Sequence, residues 1–149
     1  MLLAVIVVGA CKPTFPQASM TPYIITVIPT PSAPDKCTIT GVLLVSPGPQ
    51  PVKRTLLALA NVIEANGTPI VASMDSLNPP RTLTDDNGRF IFVEVTADTY
   101  TLILDKITES FLLSHPTSGE DMLITCEAGQ VIDLGELAYS ELPVPTPVK

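Results

Sequence analysis

Sixteen prolines, crowded at both ends of the chain and recurring between its apolar runs, weigh against a bundle of long helices. A proline inside a helix removes a hydrogen-bond donor and drives its ring into the preceding turn. Between residues 37 and 142 the chain offers short apolar pieces instead: 38–45, 54–64, 69–74, 81–84, 89–95, 99–105, 122–127 and 131–140. Pieces so short and so closely spaced leave little room for crossover helices. The pattern predicts an all-β domain, a sandwich of seven to eight strands. Residues 46–51, SPGPQP, are expected to end the first strand, because they cannot continue a ladder. Residues 54–64 on their own fit a strand or a helix of about three turns, and periodicity does not separate the two.

With 149 residues, 46% of them hydrophobic and 15% charged, the chain suits one domain with a real core. The net charge of -7 argues against nucleic acid as a partner. Phosphate binding needs clustered Lys and Arg, and the eight present are scattered.

Residues 2–8 are apolar, and Gly9, Ala10 and Cys11 follow. This arrangement resembles the end of a bacterial lipoprotein signal peptide. The apolar run is far short of the roughly 20 residues a spanning helix needs, and its length suits a signal h-region. The resemblance implies that residues 1–10 are a signal peptide and that the Cys11 thiol carries a diacylglyceryl group. It also implies an extracytoplasmic protein anchored to the bacterial membrane through that lipid. Acyl chains contribute about 0.8 kcal/mol per buried methylene, so two or three of them hold firmly. Residues 11–36 contain prolines 13, 16, 22, 29, 31 and 34 and are expected to form an extended spacer. Within the spacer, residues 23–28 (YIITVI) are β-prone and could instead add an edge strand. Residues 143–149 repeat the proline pattern as a tail.

Residues 84–92, TDDNGRFIF, together with 97–102, ADTYTL, are similar to the T-x-D-x-G-x-F-x-F and G-x-Y-x-L signature of carboxypeptidase regulatory-like domains. Upstream, Gly41 and Val42 match the opening strand of that family, and residues 127–135 look like its closing hairpin. The resemblance covers roughly residues 37–140 and implies a transthyretin-like Greek-key β-sandwich. Asp98-Thr99 stands where the family carries glycine before the tyrosine. Alternation places Phe90 and Phe92 on one strand face, and Tyr100, Leu102 and Leu104 on one face of the next strand. These rows are the expected centre of the core.

The acidic cluster at 84–88 also invites a metal reading. An EF-hand loop places oxygen ligands at positions 1, 3 and 5 before its glycine at 6. With Gly88 at position 6, Leu83 falls at position 1 and supplies no oxygen. A turn is the favoured reading, with Asn87 and Gly88 able to take φ > 0 and Asp85 capping through its carboxylate. No metal and no cofactor are expected.

His115 is the one histidine, with Ser114, Ser118, Glu120 and Asp121 nearby. No nucleophile elbow such as G-x-S-x-G accompanies them, so no catalytic residues and no enzyme are expected. Setting Cys11 aside leaves Cys37 and Cys126, an even number in an oxidising compartment. They are a candidate disulfide, with two reduced thiols or a zinc site including His115 as alternatives. Some related surface-adhesin sandwiches carry an intramolecular isopeptide bond. Lys36 and Asp105 could supply two of its groups, but residues 131–140 hold no asparagine, so none is expected here.

The expected function is that of a non-catalytic structural or protein-interaction module at the bacterial cell envelope, with an envelope protein or polysaccharide as partner. A carbohydrate-binding module of similar fold is the alternative. It would need exposed aromatic rings, and Tyr23, Phe111 and Tyr139 are the candidates for a coplanar platform.

Overall fold

The computed structural model describes residues 27–73, 78–106 and 109–142, which contain ten strands and no helix. In chain order these are β1 (Lys36–Val45), β2 (Gln50–Pro51), β3 (Leu56–Ala65), β4 (Thr68–Ser73), β5 (Arg81–Leu83), β6 (Arg89–Thr96), β7 (Asp98–Asp105), β8 (Ser110–Leu112), β9 (Ile124–Cys126) and β10 (Val131–Tyr139). The lipidation candidate Cys11, the signal segment 1–10, residues 23–26 with Tyr23, and the tail 143–149 lie outside the described residues.

The strands form two sheets, as the all-β reading requires. In the first, β1 is central. Along one edge it pairs in parallel with β10, from Thr38 opposite Val131 to Val45 opposite Tyr139. Along the other it pairs antiparallel with β6, and β2 extends that edge at Leu44 and Val45. In the second sheet β3 and β7 run antiparallel at the centre. The outer edge of β3 is shared by β4 and β5, and the outer edge of β7 by β8 and β9. This sharing of edges turns seven or eight expected strands into ten shorter segments.

Three local expectations change. Residues 54–64 resolve to a strand, because β3 is buried on both faces: Leu57 and Leu59 point into the core, while Ala58 and Ala60 are fully buried on the other side. Such a strand carries a continuous apolar run, which is why its periodicity is ambiguous. The proline segment 46–51 does rejoin the sheet as β2: the neighbouring Val52 N–H supplies the donor that Pro51 lacks, bonding the Leu43 carbonyl at 3.0 Å. A short strand that the apolar pattern does not announce, β8, pairs with the end of β7.

The largest change concerns the expected turn at 84–88 and the expected closing hairpin at 127–135. β5 and β7 lie in the second sheet and β6 in the first, so residues 84–88 and Ala97 are crossings between sheets. Residues 127–130 likewise carry the chain from β9 to β10 across the sandwich, not around a hairpin. The Phe90 and Tyr100 rows therefore face each other from opposite sheets.

Between the sheets lies the core. Phe90 and Phe92 are nearly fully buried and meet edge to face, with ring centres 6.0 Å apart. Opposite them are Leu57, Leu59, Tyr100, Leu102 and Leu104. Gly41 pairs with Phe90, and a Cβ added there would come within 2.8 Å of the Phe90 ring. Glycine at 41 therefore makes room for the aromatic.

β6 contains one extra residue. Ile39 faces Phe92 but Cys37 faces Val95, and Glu94 absorbs the difference with φ of 54°. This bulge is what returns Val95, three residues after Phe92, to the core face.

Residues 28–35, expected within the spacer, run back along the outer face of the first sheet. The Thr38 hydroxyl donates to the Pro29 carbonyl at 3.0 Å, and the Ser32 N–H donates to Glu94 Oε1 at 2.7 Å. Thr38 and Thr40, although they point away from the core, are almost fully buried.

Candidate functional site

The acidic turn at 84–88 is built from backbone requirements. Asp85 Oδ1 accepts the N–H groups of Asn87 and Arg89, both at 2.8 Å, so the carboxylate caps the turn. Thr84 is buried, and its hydroxyl accepts the Thr55 N–H at 2.9 Å. Backbone bonds in both directions between Thr84 and residues 54 and 55 complete the staple to the start of β3. Gly88 takes φ of 76°, whereas Asn87 keeps a negative φ, so the expected pair of left-handed residues reduces to one. A Cβ at Gly88 would overlap the Leu43 carbonyl oxygen and press on Pro51 and Val52 at 3.2 Å. Asp86 reaches only the exposed Arg54, at 3.8 Å, a contact of little energetic weight. Among the described residues no group of three or more His, Cys, Asp or Glu side chains gathers around a possible metal position.

His115 sits in an exposed loop, where its backbone bonds with Gly119 and Glu120 close a turn. Its Nδ1 accepts the Thr117 N–H at 3.3 Å, and the Ser118 hydroxyl accepts the Glu120 N–H at 3.3 Å. The imidazole and the hydroxyl thus serve the loop backbone, and the chain does not bring a His–carboxylate–Ser relay together here.

Of the rings that could have formed a sugar platform, the two among the described residues are committed inward. Phe111, on β8, and Tyr139, on β10, are half-buried and pack against the core from different sheets. The Tyr139 hydroxyl donates to the Ser114 carbonyl at 2.8 Å, and burial pushes its pKa up to about 12. Tyr100 donates to the Thr96 carbonyl at 2.9 Å. Burial raises its pKa above 10.0, the Asp98 carboxylate adds to the rise, and Asn61 opposes it. Lys106 Nζ lies 5.2 Å from the centre of the Phe111 ring, over its outer side.

Lys36 and Asp105 are not neighbours. Lys36 Nζ donates to Thr96 Oγ1 at 2.9 Å at the start of β1. Asp105, at the far end of β7, accepts from Arg81 at 2.9 Å and from Ser110 at 3.1 Å.

Cys37 and Cys126 are joined by a disulfide across the sandwich, from β1 in one sheet to β9 in the other, with Cα atoms 6.0 Å apart. Both are buried. Around it, the Gly129 N–H donates to the Lys36 carbonyl at 2.7 Å and the Thr38 N–H to the Gln130 carbonyl at 2.9 Å. This cross-link ties the beginning of the sandwich to its end.

Two surface features lie outside these clusters. A shallow groove of 170 Å³ on the outer face of the first sheet is bordered by Ile28, Thr40, Arg89, Asp133 and Glu136. That is below the range of about 300–1,000 Å³ usual for small-molecule sites. On the outer side of the second sheet Ala58, Ala60 and Ile103 form a second buried cluster, with Leu83 and Leu112 exposed beside it. Sequence alternation could not reveal this cluster, because the Ala–Leu run of β3 looks the same from either face.

No protein-family model and no curated protein matches the sequence. Solved structures with a similar arrangement include the major pilin subunit of Bacillus cereus, with a TM-score of 0.43 and 11% identity over 72% of this chain and 31% of that one. A Pseudomonas aeruginosa protein proposed to bind carbohydrate gives 0.42 and 17% identity over 70% of this chain and 88% of its own. The full-length major pilin of Corynebacterium diphtheriae gives 0.41 and 11% identity, over 70% of this chain and 30% of the pilin. The chain thus spans about a third of each major pilin.

Proposed function

We propose that this protein is a non-catalytic β-sandwich module of the bacterial cell envelope, held to the membrane by lipid on Cys11 and acting through its surfaces as a structural or protein-interaction domain. The sandwich between residues 37 and 140 is read as carboxypeptidase regulatory-like, of transthyretin type. The observation that carries the reading is the buried Cys37–Cys126 disulfide between the two sheets. Such bonds form and persist in oxidising compartments outside the cytoplasm. The side chains that might have done chemistry support the same view: Asp85 caps a turn, His115 serves a loop, and the tyrosine hydroxyls bond carbonyls. Leu83 and Leu112, exposed on the outer side of the second sheet, are apolar contacts available to an envelope partner.

The test is metabolic labelling of the full chain with a lipid precursor in a bacterial host. Wild type takes up label and fractionates with membranes, and Cys11→Ser does neither. Equal labelling of the two would refute the anchor. In the same samples, Cys37 and Cys126 resist a maleimide under denaturing conditions until a reductant is added; immediate reaction would refute the compartment.

A further inference from the structure

We propose that the domain is built to carry tension: β1 and β10 form a shear clamp, backed by a disulfide that becomes accessible only after the clamp gives way. The chain enters β1 at Lys36 and leaves β10 at Tyr139, and the two strands are parallel. Tension applied through the flanking segments therefore pulls at opposite ends of one ladder. Every bond between Thr38–Val131 and Val45–Tyr139 is loaded together, whereas tension at one end would open the bonds in turn. Residues 28–35 peel away first, since two side-chain bonds, the bond from the Ala97 N–H to the Asp35 carbonyl and the groove contacts of Ile28 are their described holds.

Beyond that point the disulfide limits the extension. Once β10 strips off, force runs from Cys37 directly to Cys126, and the residues between them leave the force path. Only residues 127–139 lengthen, and since β10 is already extended the gain is roughly 15–20 Å. The 89-residue separation closed by the bond stays folded. Ile132 and Leu137 of β10 help cover the core that buries both sulfurs, so loss of β10 opens that end of the sandwich to solvent. A thiolate can then attack one sulfur in line, forming a mixed disulfide and releasing the other as a thiolate. With a dithiol, its second thiolate displaces the remaining cysteine and closes a cyclic disulfide, leaving two free cysteines. Release of the 89-residue loop then adds roughly 300 Å.

That such tension exists in the cell rests on the anchored-module reading, but the geometry does not, and the test uses purified protein. The oxidised full chain is held at constant force between terminal handles. Without thiol it should show the short step and nothing longer. With dithiothreitol a long step of roughly 300 Å should come after the short one, at a rate that rises with reagent concentration. A long extension without thiol, or one that arrives with no short step before it, would overturn the lock. Moving the amino-terminal handle to Gln50, beside the Val45 end of β1, makes the same ladder unzip from Tyr139. The rupture force should then fall, and an equal force in both directions would overturn the clamp. Failure of Cys11 labelling would leave both results standing, so the two readings fail separately.

Discussion

Replacing Gly88 with alanine separates two demands that a turn glycine can face. Gly88 and Gly67 share almost the same backbone, with φ of 76° and 75°. They differ in surroundings: nothing lies within 4 Å of a Cβ built at Gly67, whereas one at Gly88 would overlap the Leu43 carbonyl oxygen. Holding an L-residue in the left-handed region costs about 1–2 kcal/mol. Stiffening of the unfolded chain returns about 0.4–1 kcal/mol. Gly67→Ala should therefore lose about 1 kcal/mol. At Gly88 the carbonyl that must move accepts the Val52 N–H, and Gly88's own carbonyl accepts the Leu43 N–H. Weakening two such bonds adds about 1 kcal/mol each, so Gly88→Ala should lose about 3 kcal/mol. Urea unfolding followed by circular dichroism measures both, with the slope unchanged if only the native state is affected. Equal losses at the two positions would refute the close-approach argument and leave φ as the whole explanation.

Reducing the disulfide, or replacing both cysteines with serine, should lower stability by about 4–5 kcal/mol, the chain-entropy value for a separation of 89 residues; thermal melts with and without reductant check it, and unchanged melting would refute it. Alkaline titration should show the tyrosines. Since Tyr139 has its pKa at about 12 in the folded state against 10.0 normally, the folded state holds that proton more tightly. Its contribution is intact below pH 10 and is lost as pH rises towards 12, about 2–3 kcal/mol in all, and Tyr139→Phe should flatten that part of the profile. Asp85→Ala should cost about 1 kcal/mol through loss of two backbone bonds, and calcium should leave the melting temperature of either protein unchanged. A calcium-dependent rise in the wild type alone would restore the metal reading.

Much of the fold is legible in the sequence because alternation reports faces. Spacing alone assigns Phe90, Phe92, Tyr100, Leu102 and Leu104 to the core, and all five are buried there. Spacing does not report edges. Whether β6 turns back on β5 or crosses to the other sheet leaves the same residues pointing inward, so crossings look like hairpins. The ambiguity in β3 has a similar source, since a strand covered on both faces loses its alternation. The Asp85 turn is visible in its residue types, but the role of Thr84 is not: its partner Thr55 is 29 residues away. Number and compartment suggest the cysteine pair, while the 6.0 Å approach that makes the bond comes from the folding of β1 against β9.

The extra residue at Glu94 makes this sandwich tolerant of a change in length in a way composition does not reveal. Deleting that one position would give β6 a regular pleat and leave Val95 two places after Phe92, still facing inward and still opposite Cys37. What would go is the Glu94 carboxylate that accepts the Ser32 N–H, and with it one hold on residues 28–35. A natural variant shorter by one residue here would therefore keep the same interior with no second change nearby, as would one that lost or gained residues in the exposed loop around Gly119.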